Sequence, residues 1–199
     1  MTSDSSRRAK FFTAARPLLE RFGLRKTTVA EICRAAGASK RTFYELFRDK
    51  GDLYVQLVAD LAAREVAAWE AALPAGLSAR RRLESFLDAY VEAGRRHPVF
   101  TLPLREPELN ELFAGCSSEE LFGPMLAALR RIVADGVATG EFRAADPDAA
   151  VRVIDALLDS VHYILPGLYS ERSAFDDPAL AVETRAFIVH GLLAGGAGR

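Results

Sequence analysis

Apolar residues along this chain recur three and four positions apart almost throughout, with no sustained alternation of apolar and polar positions. The first spacing is typical of amphipathic α-helices and the second of half-buried strands, so the pattern predicts an all-α protein. Glycine, proline and capping residues divide the chain into about nine segments. The predicted helices cover about 6–22, 27–36, 39–47, 50–73, 78–97, 108–114, 117–140, 147–165 and 178–193.

Local signals also predict irregularities within these helices. Pro17 should kink the first helix, because proline removes a backbone hydrogen bond. Ser117 and Glu120 have the spacing of a capping box, and Gly123-Pro124 should bend the start of the helix that follows.

Charge is divided unevenly between the two ends of the chain. The 199 residues carry 26 Lys and Arg against 27 Asp and Glu, a net charge of −1. Residues 1–57 nevertheless hold 12 basic and 6 acidic residues, a net +6, and residues 58–199 carry the balancing −7. Such asymmetry predicts two parts with different partners, and we expect domains at 1–57 and 58–199.

The remaining composition argues against several classes of protein. Cys33 and Cys116 are too few for a disulfide framework, and no Cys/His spacing resembles a zinc site. The start lacks the apolar core of a signal peptide, and the longest uncharged stretch, 186–198, is too short to span a bilayer. We therefore expect a cytoplasmic protein without metal or cofactor.

The most informative stretch, TTVAEICRAAGASKRTFYELFRDK at residues 27–50, has the form of two short helices joined by a tight turn. Gly37 permits the close turn that a helix-turn-helix needs. Apolar residues three and four apart give each helix one packing face. They are Val29, Ile32 and Ala36 in the first helix and Phe43, Leu46 and Phe47 in the second.

The opposite face of the second helix carries side chains suited to DNA. Ser39 is the expected N-cap. Lys40, Arg41 and Thr42 follow in the first turn, where a recognition helix meets base edges in the major groove. Arginine and lysine suit guanine acceptors, and threonine can donate, accept or contact a thymine methyl. The hydroxyl of Tyr44 can reach a phosphate.

Two further helix starts favour phosphate contacts. Thr28 and Lys50 lie where free N–H groups and the helix dipole attract anions. Taken singly, these residues also fit ordinary roles: Lys40 and Arg41 a solvated helix start, Tyr44 half-buried packing, and Thr28 a plain cap. Their combination within a +6 segment favours DNA binding.

Residues 11–58 resemble the N-terminal domain of TetR/AcrR-family transcriptional regulators. The matching residues are Phe11-Phe12, Ala14-Ala15, Leu19-Glu20, Gly23, Thr27-Thr28-Val29, Ile32, Ala35-Ala36-Gly37, Ser39-Lys40, Phe43-Tyr44, Phe47 and Lys50. The resemblance implies a three-helix helix-turn-helix domain followed by a larger helical domain that binds an effector and dimerises through its last two helices. The DNA-contact positions that it implies are Thr28, Ser39, Lys40, Arg41, Thr42, Tyr44 and Lys50.

Residues 58–199 contain no Gly-x-Ser-x-Gly, phosphate loop or His-Glu-x-x-His motif. Aromatic residues are spread through the middle helices, and breaks near 98–107 and 123–124 interrupt helix packing there, which favours a pocket. The predicted effector pocket comprises Phe86, Tyr90, Phe100, Leu104, Phe113, Phe122, Met125, His162 and Tyr163. Each of these residues also fits the alternative of ordinary core. Glu106, Glu108 and Glu111 are interpreted as a solvated face.

The last two helices are rich in apolar residues, and a two-fold interface through them suits a chain that reads two half-sites. Packing within the chain is the alternative. The leading hypothesis is a homodimeric, ligand-responsive repressor of a palindromic operator in double-stranded DNA, released by a small-molecule effector. Two alternatives stay open: a small helical enzyme, for which no base and nucleophile pair is found, and an architectural protein that contacts phosphates without reading bases.

Overall fold

The computed structural model describes residues 3–106, 109, 111, 112, 118–164 and 173–194. Within this part of the chain there are nine α-helices and no β-strand, which confirms the all-α class. The helices are α1 (Ser3–Lys26), α2 (Val29–Ala36), α3 (Lys40–Leu46), α4 (Lys50–Ala72), α5 (Ala79–Arg96), α6 (Leu102–Arg105), α7 (Ser118–Ala138), α8 (Pro147–Asp159) and α9 (Pro178–Leu192). A π-helical turn, Ser160–Ile164, continues α8.

Helix starts coincide with capping residues in the sequence. The Ser78 hydroxyl accepts a hydrogen bond from the Arg81 N–H, and Asp146 and Asp177 each accept two first-turn N–H groups at α8 and α9. These side chains satisfy donors that a helix start leaves without partners, so local sequence decides where the helices begin.

Two long helices contain a break. In α1 the break lies at Gly23 (φ 78°, ψ 170°). The predicted kink at Pro17 is absent, because the backbone at Pro17 keeps helical angles. Pro17 is exposed, so the carbonyl that its ring leaves unpaired can face water. In α7 the break lies at Phe122 (φ −124°, ψ 21°), beside the predicted Gly123-Pro124 bend. Ser117 of the predicted capping box lies outside the described residues.

The short helix between α5 and α7 lies earlier than expected. The sequence predicted it at about 108–114, most of which lies outside the described residues. The structure places α6 at Leu102–Arg105, with Pro103 in the first turn, where its missing N–H costs nothing.

Contacts divide the chain into two compact units. Unit 1 comprises Met1–Leu61 and Pro98–Leu121, and unit 2 comprises Ala62–His97 and Phe122–Arg199. The chain passes from one unit to the other within α4, and unit 1 includes a segment from the middle of the sequence. The functional division at residue 57 stays a prediction.

An aromatic cluster forms the core of unit 1. The ring of Phe11 on α1 packs edge-on against Phe43 and Phe47, each with 5.7 Å between ring centroids. Edge-on aromatic pairs add about 0.5–1.5 kcal/mol beyond the burial of apolar area. The buried Tyr54 hydroxyl donates to the Val99 carbonyl at 3.1 Å and so ties α4 to the 98–121 segment.

Unit 2 has a separate apolar core. Leu83, Leu129, Ile154 and Ile188 are buried there, one each from α5, α7, α8 and α9. No helix in the described part of the chain is long and apolar enough to cross a membrane.

Candidate nucleic-acid interface and effector region

The α2–α3 pair has the geometry of a helix-turn-helix. Gly37 ends α2 in the left-handed region (φ 56°, ψ 43°), where a glycine carries no steric penalty. Its N–H bonds to the Arg34 carbonyl, and the Ala38 N–H reaches the Cys33 carbonyl at 3.0 Å. Local hydrogen bonds thus end α2 at the turn.

Ser39 caps α3, as the sequence predicted. Its Oγ accepts the Thr42 N–H at 3.0 Å, and the two hydroxyl oxygens are also 3.0 Å apart. Lys40 and Arg41 follow on an exposed turn. The Arg41 side chain is 89% exposed, and its Nε lies 3.2 Å from Glu45 Oε1. An exposed pair of this kind contributes about 0–1 kcal/mol, so DNA can displace it readily.

Tyr44 presents most of its surface to solvent. The residue is 58% exposed, and its ring packs edge-on against the buried Phe43 at 5.3 Å between centroids. Its hydroxyl has no hydrogen-bonding partner among the described residues. Packing holds the ring while the side chain remains accessible.

Thr28 is a cap whose hydroxyl already has partners. Its Oγ accepts the Glu31 N–H at 3.2 Å and donates to Glu31 Oε2 at 2.7 Å. These bonds with Thr28 hold the pKa of the Glu31 carboxyl below its usual range. A phosphate contact through this hydroxyl proton therefore requires displacement of Glu31.

Lys50 uses all of its ammonium protons within the chain. Its Nζ donates to the carbonyls of Leu24, Arg25 and Thr27 at 2.7, 3.0 and 3.0 Å. The ammonium therefore caps the α1–α2 connection, and its predicted phosphate contact stays a prediction.

Glu106, which sequence reasoning assigned to a solvated face, binds the other side of the same connection. Its Oε2 accepts the N–H groups of Leu24 and Arg25 at 3.1 and 3.2 Å. A Cβ on Gly23 would lie 1.7 Å from Glu106 Oε1. Gly23 therefore allows both the positive φ and the approach of the carboxylate. We call this arrangement, in which Lys50 and Glu106 bind the backbone of residues 23–27, the α1–α2 clamp.

The described members of the predicted effector pocket fall in both units, and the pocket itself stays a prediction. Phe86 and Met125 belong to the core of unit 2, and Phe122 packs against that core. Phe100 and Leu104 belong to the 98–121 segment of unit 1. Phe113 lies outside the described residues.

Three members of the predicted pocket do meet. The Tyr90 and His162 ring centroids are 5.0 Å apart, and both contact Phe175, as does Tyr163. Phe175 escaped the sequence analysis because nothing in its local pattern marks it. Desolvation, with a contribution from Asp155, raises the pKa of the neighbouring Asp159 to about 6.

His162 is the most enclosed member of this group, with 0% of its surface exposed. Its Nδ1 lies 2.8 Å from the Leu158 carbonyl, which can only accept, so Nδ1 carries the proton. Burial lowers the pKa of His162 to about 4, so the ring is neutral. Its buried Nε2 has no hydrogen-bonding partner among the described residues.

Comparison with known proteins finds a family similarity at the N-terminal end of the chain. Residues 11–57 match the model of the family described as bacterial regulatory proteins, tetR family. No curated protein sequence matches the chain. The matched range contains all seven predicted DNA-contact residues.

Solved structures share the fold of the whole chain. The transcriptional regulator FadR from Bacillus subtilis, in complex with stearoyl-CoA, is 19% identical (TM-score 0.67; 92% of this chain and 98% of that chain). A regulatory protein of the tetR family from Rhodococcus RHA1 is 21% identical (TM-score 0.60; 98% and 100%). A structure described as the molecular basis for control of antibiotic production by bacterial hormones is 24% identical (TM-score 0.71; 98% and 100%).

Proposed function

We propose that this chain, a TetR-family transcriptional regulator, represses transcription by binding a palindromic operator as a homodimer and is released by a small-molecule effector. The observation that carries the proposal is α3, which is capped at Ser39 and exposes Lys40 and Arg41 in its first turn. Residues at the start of a recognition helix read bases in the major groove. The protein acts on double-stranded DNA in the cytoplasm and catalyses no reaction.

Dimerisation is supported by the exposed apolar residues of α8, the π-helical turn and α9. Val153, Ile164 and Phe187 are 67%, 51% and 73% exposed. Other apolar residues of these helices, such as Ile154 and Ile188, are buried within the chain. Core packing therefore accounts for part of their apolar content, and the exposed remainder supports a two-fold interface.

Effector control is supported by the stearoyl-CoA complex of the similar FadR structure and by the aromatic group around His162 in unit 2. An effector that binds one dimer conformation more tightly shifts the population toward it. Release follows if that conformation places the two α3 helices away from the spacing of about 34 Å that successive major grooves require.

Selection of bound fragments from genomic DNA by the purified full chain tests this function. We expect the selection to enrich a palindromic site that the protein binds at nanomolar concentration. Sedimentation analysis should show that the protein is a dimer. Arg80→Ala, which removes a positive charge from unit 2, should leave binding unchanged. Failure to enrich any site, or a 21.7 kDa monomer at micromolar concentration, contradicts the proposal.

A further inference from the structure

A cleft of about 530 Å³ opens in unit 2 between α5 and α9. Of the described members of the predicted effector set, only His162 lines it. Leu87 and Val91 of α5 and Val182 of α9 supply apolar lining, and Leu158 adjoins His162. Ligand sites of proteins commonly have volumes of about 300–1,000 Å³ and apolar walls with a few polar groups.

His162, which lines this cleft, carries a buried and unsatisfied hydrogen-bond acceptor. Because Nδ1 donates to the Leu158 carbonyl, the buried Nε2 of the neutral ring holds a lone pair. Buried polar atoms in proteins nearly always have a partner. The missing partner must be a donor, because a neutral imidazole with one protonated nitrogen accepts at the other.

Four charged residues also line the cleft: Asp88, Glu92, Arg95 and Arg185. Arg95 Nε donates to the Phe175 carbonyl at 2.6 Å, and the Phe175 ring lies 4.3 Å from the His162 ring. This bond leaves the terminal N–H groups of Arg95 without a partner among the described residues. Arg185 instead reaches both carboxylate oxygens of Asp88, at 3.0 and 2.9 Å.

We propose that this cleft, which holds the effector if the proposed function is right, binds a small amphiphile whose polar head carries a donor beside an acceptor, as in a primary carboxamide with a short aliphatic chain. The amide N–H donates to His162 Nε2, and the amide oxygen accepts from Arg95. The chain lies against Leu87, Val91 and Val182. A carboxylate has no donor for His162, and an ammonium has no acceptor for Arg95.

The test is titration of the full chain, labelled with ¹⁵N-histidine, with hexanamide. We expect a saturable change in the Nε2 chemical shift of His162, with the His97 and His190 signals as internal references. N,N-dimethylhexanamide, which lacks the N–H, and hexanoate should each bind at least tenfold more weakly. No saturable change at His162, or an equal response to the dimethyl compound, overturns the proposal.

Two substitutions locate the site. His162→Phe keeps a ring but removes the lone pair, and we expect it to lose at least tenfold in affinity for hexanamide, followed by calorimetry. Ala181 is half-buried and lines the cleft, so Ala181→Trp fills the cleft without altering His162. This variant tests the site even if His162→Phe fails to fold. Ala71→Trp, at an exposed position on α4, is the matched control. Unchanged affinity in Ala181→Trp contradicts this location.

Discussion

The two candidate sites of this protein are assembled from the sequence in different ways. The candidate DNA-binding surface comes from residues between Thr28 and Lys50, where caps and a glycine turn define each helix. The group around His162 instead combines Tyr90 and Phe175 from distant parts of the chain. Local interactions fix the first site, whereas packing between remote elements fixes the second.

The α1–α2 clamp shows that even the local site depends on remote groups. Lys50 and Glu106 bond the carbonyls and the N–H groups, respectively, of the residues that lead into α2. The clamp therefore joins the helix-turn-helix to the 98–121 segment of unit 1. Disrupting the clamp should show whether the candidate DNA-binding surface depends on these remote contacts.

Gly23→Ala should have the largest effect on stability. Alanine at this backbone conformation costs on the order of 1–3 kcal/mol, and loss of the Glu106 carboxylate bonds adds about 1.5–3 kcal/mol. We expect a total loss of about 3–6 kcal/mol in the free energy of unfolding, measured by urea denaturation.

Gly76→Ala is the matched control for this substitution. Gly76 has the same φ of +78° but nothing within 4 Å of its missing Cβ. A larger loss for Gly23→Ala than for Gly76→Ala is therefore expected, because only Gly23 is approached by Glu106. Equal losses for both would mean that the clamp contributes nothing beyond the backbone conformation of Gly23.

Acidification should destabilise the region around His162 through its neutral, buried ring. The folded pKa of about 4 lies below the ordinary value of 6.5, so the unfolded chain binds more protons between these values. The contribution of His162 is complete above pH 6.5 and is lost as pH falls toward 4. Its size is on the order of 3 kcal/mol, from about 1.4 kcal/mol per pKa unit.

Asp159 acts in the opposite direction. Its folded pKa of about 6 lies above the ordinary 3.8, so protonation favours the folded state as pH falls through this window. In urea denaturation at pH 4–8, His162→Phe should flatten the acid loss and Asp159→Asn should steepen it. Exposed His190→Gln is the control. An identical pH profile for His162→Phe and the unmodified chain rules out His162 as the source.

These contrasts show what sequence alone could predict. The helix starts at Ser39, Ser78 and Asp146 were readable because each cap acts within three residues of itself. Glu106 was not, because its partners lie more than 80 positions away and nothing in its own pattern differs from a solvated face.

The effector region was harder for a related reason. An aromatic side chain is expected to be buried, but its residue type does not show which other residues it packs against. Phe86 and Tyr90 lie one helical turn apart on α5, yet Phe86 contacts Trp69 and Tyr90 contacts His162. Only the tertiary packing separates core from candidate site.

Lys50→Met should separate capping from phosphate contact. Removing the ammonium leaves three carbonyls without their charged donor, and we expect a loss of about 2 kcal/mol in the free energy of unfolding. The control is Lys26→Met, at an exposed residue in the last turn of α1. Unchanged stability together with weaker binding to every DNA sequence would instead support the phosphate contact.

Arg41→Ala should have the smallest effect on folding and the most selective effect on DNA. The side chain is 89% exposed, so we expect stability within about 0.5 kcal/mol of the unmodified chain. If Arg41 reads a base, binding to the selected operator weakens by about 1–2 kcal/mol, and discrimination is lost at one base position per half-site. Fluorescence anisotropy with single-base operator variants measures both quantities.

Glu45→Gln, which releases Arg41 from its ion pair, should leave that discrimination intact. An equal loss on all sequences would mean that Arg41 contacts only phosphates, because a phosphate contact carries no base information. That outcome would favour the architectural alternative, in which the exposed turn of α3 binds DNA without reading it.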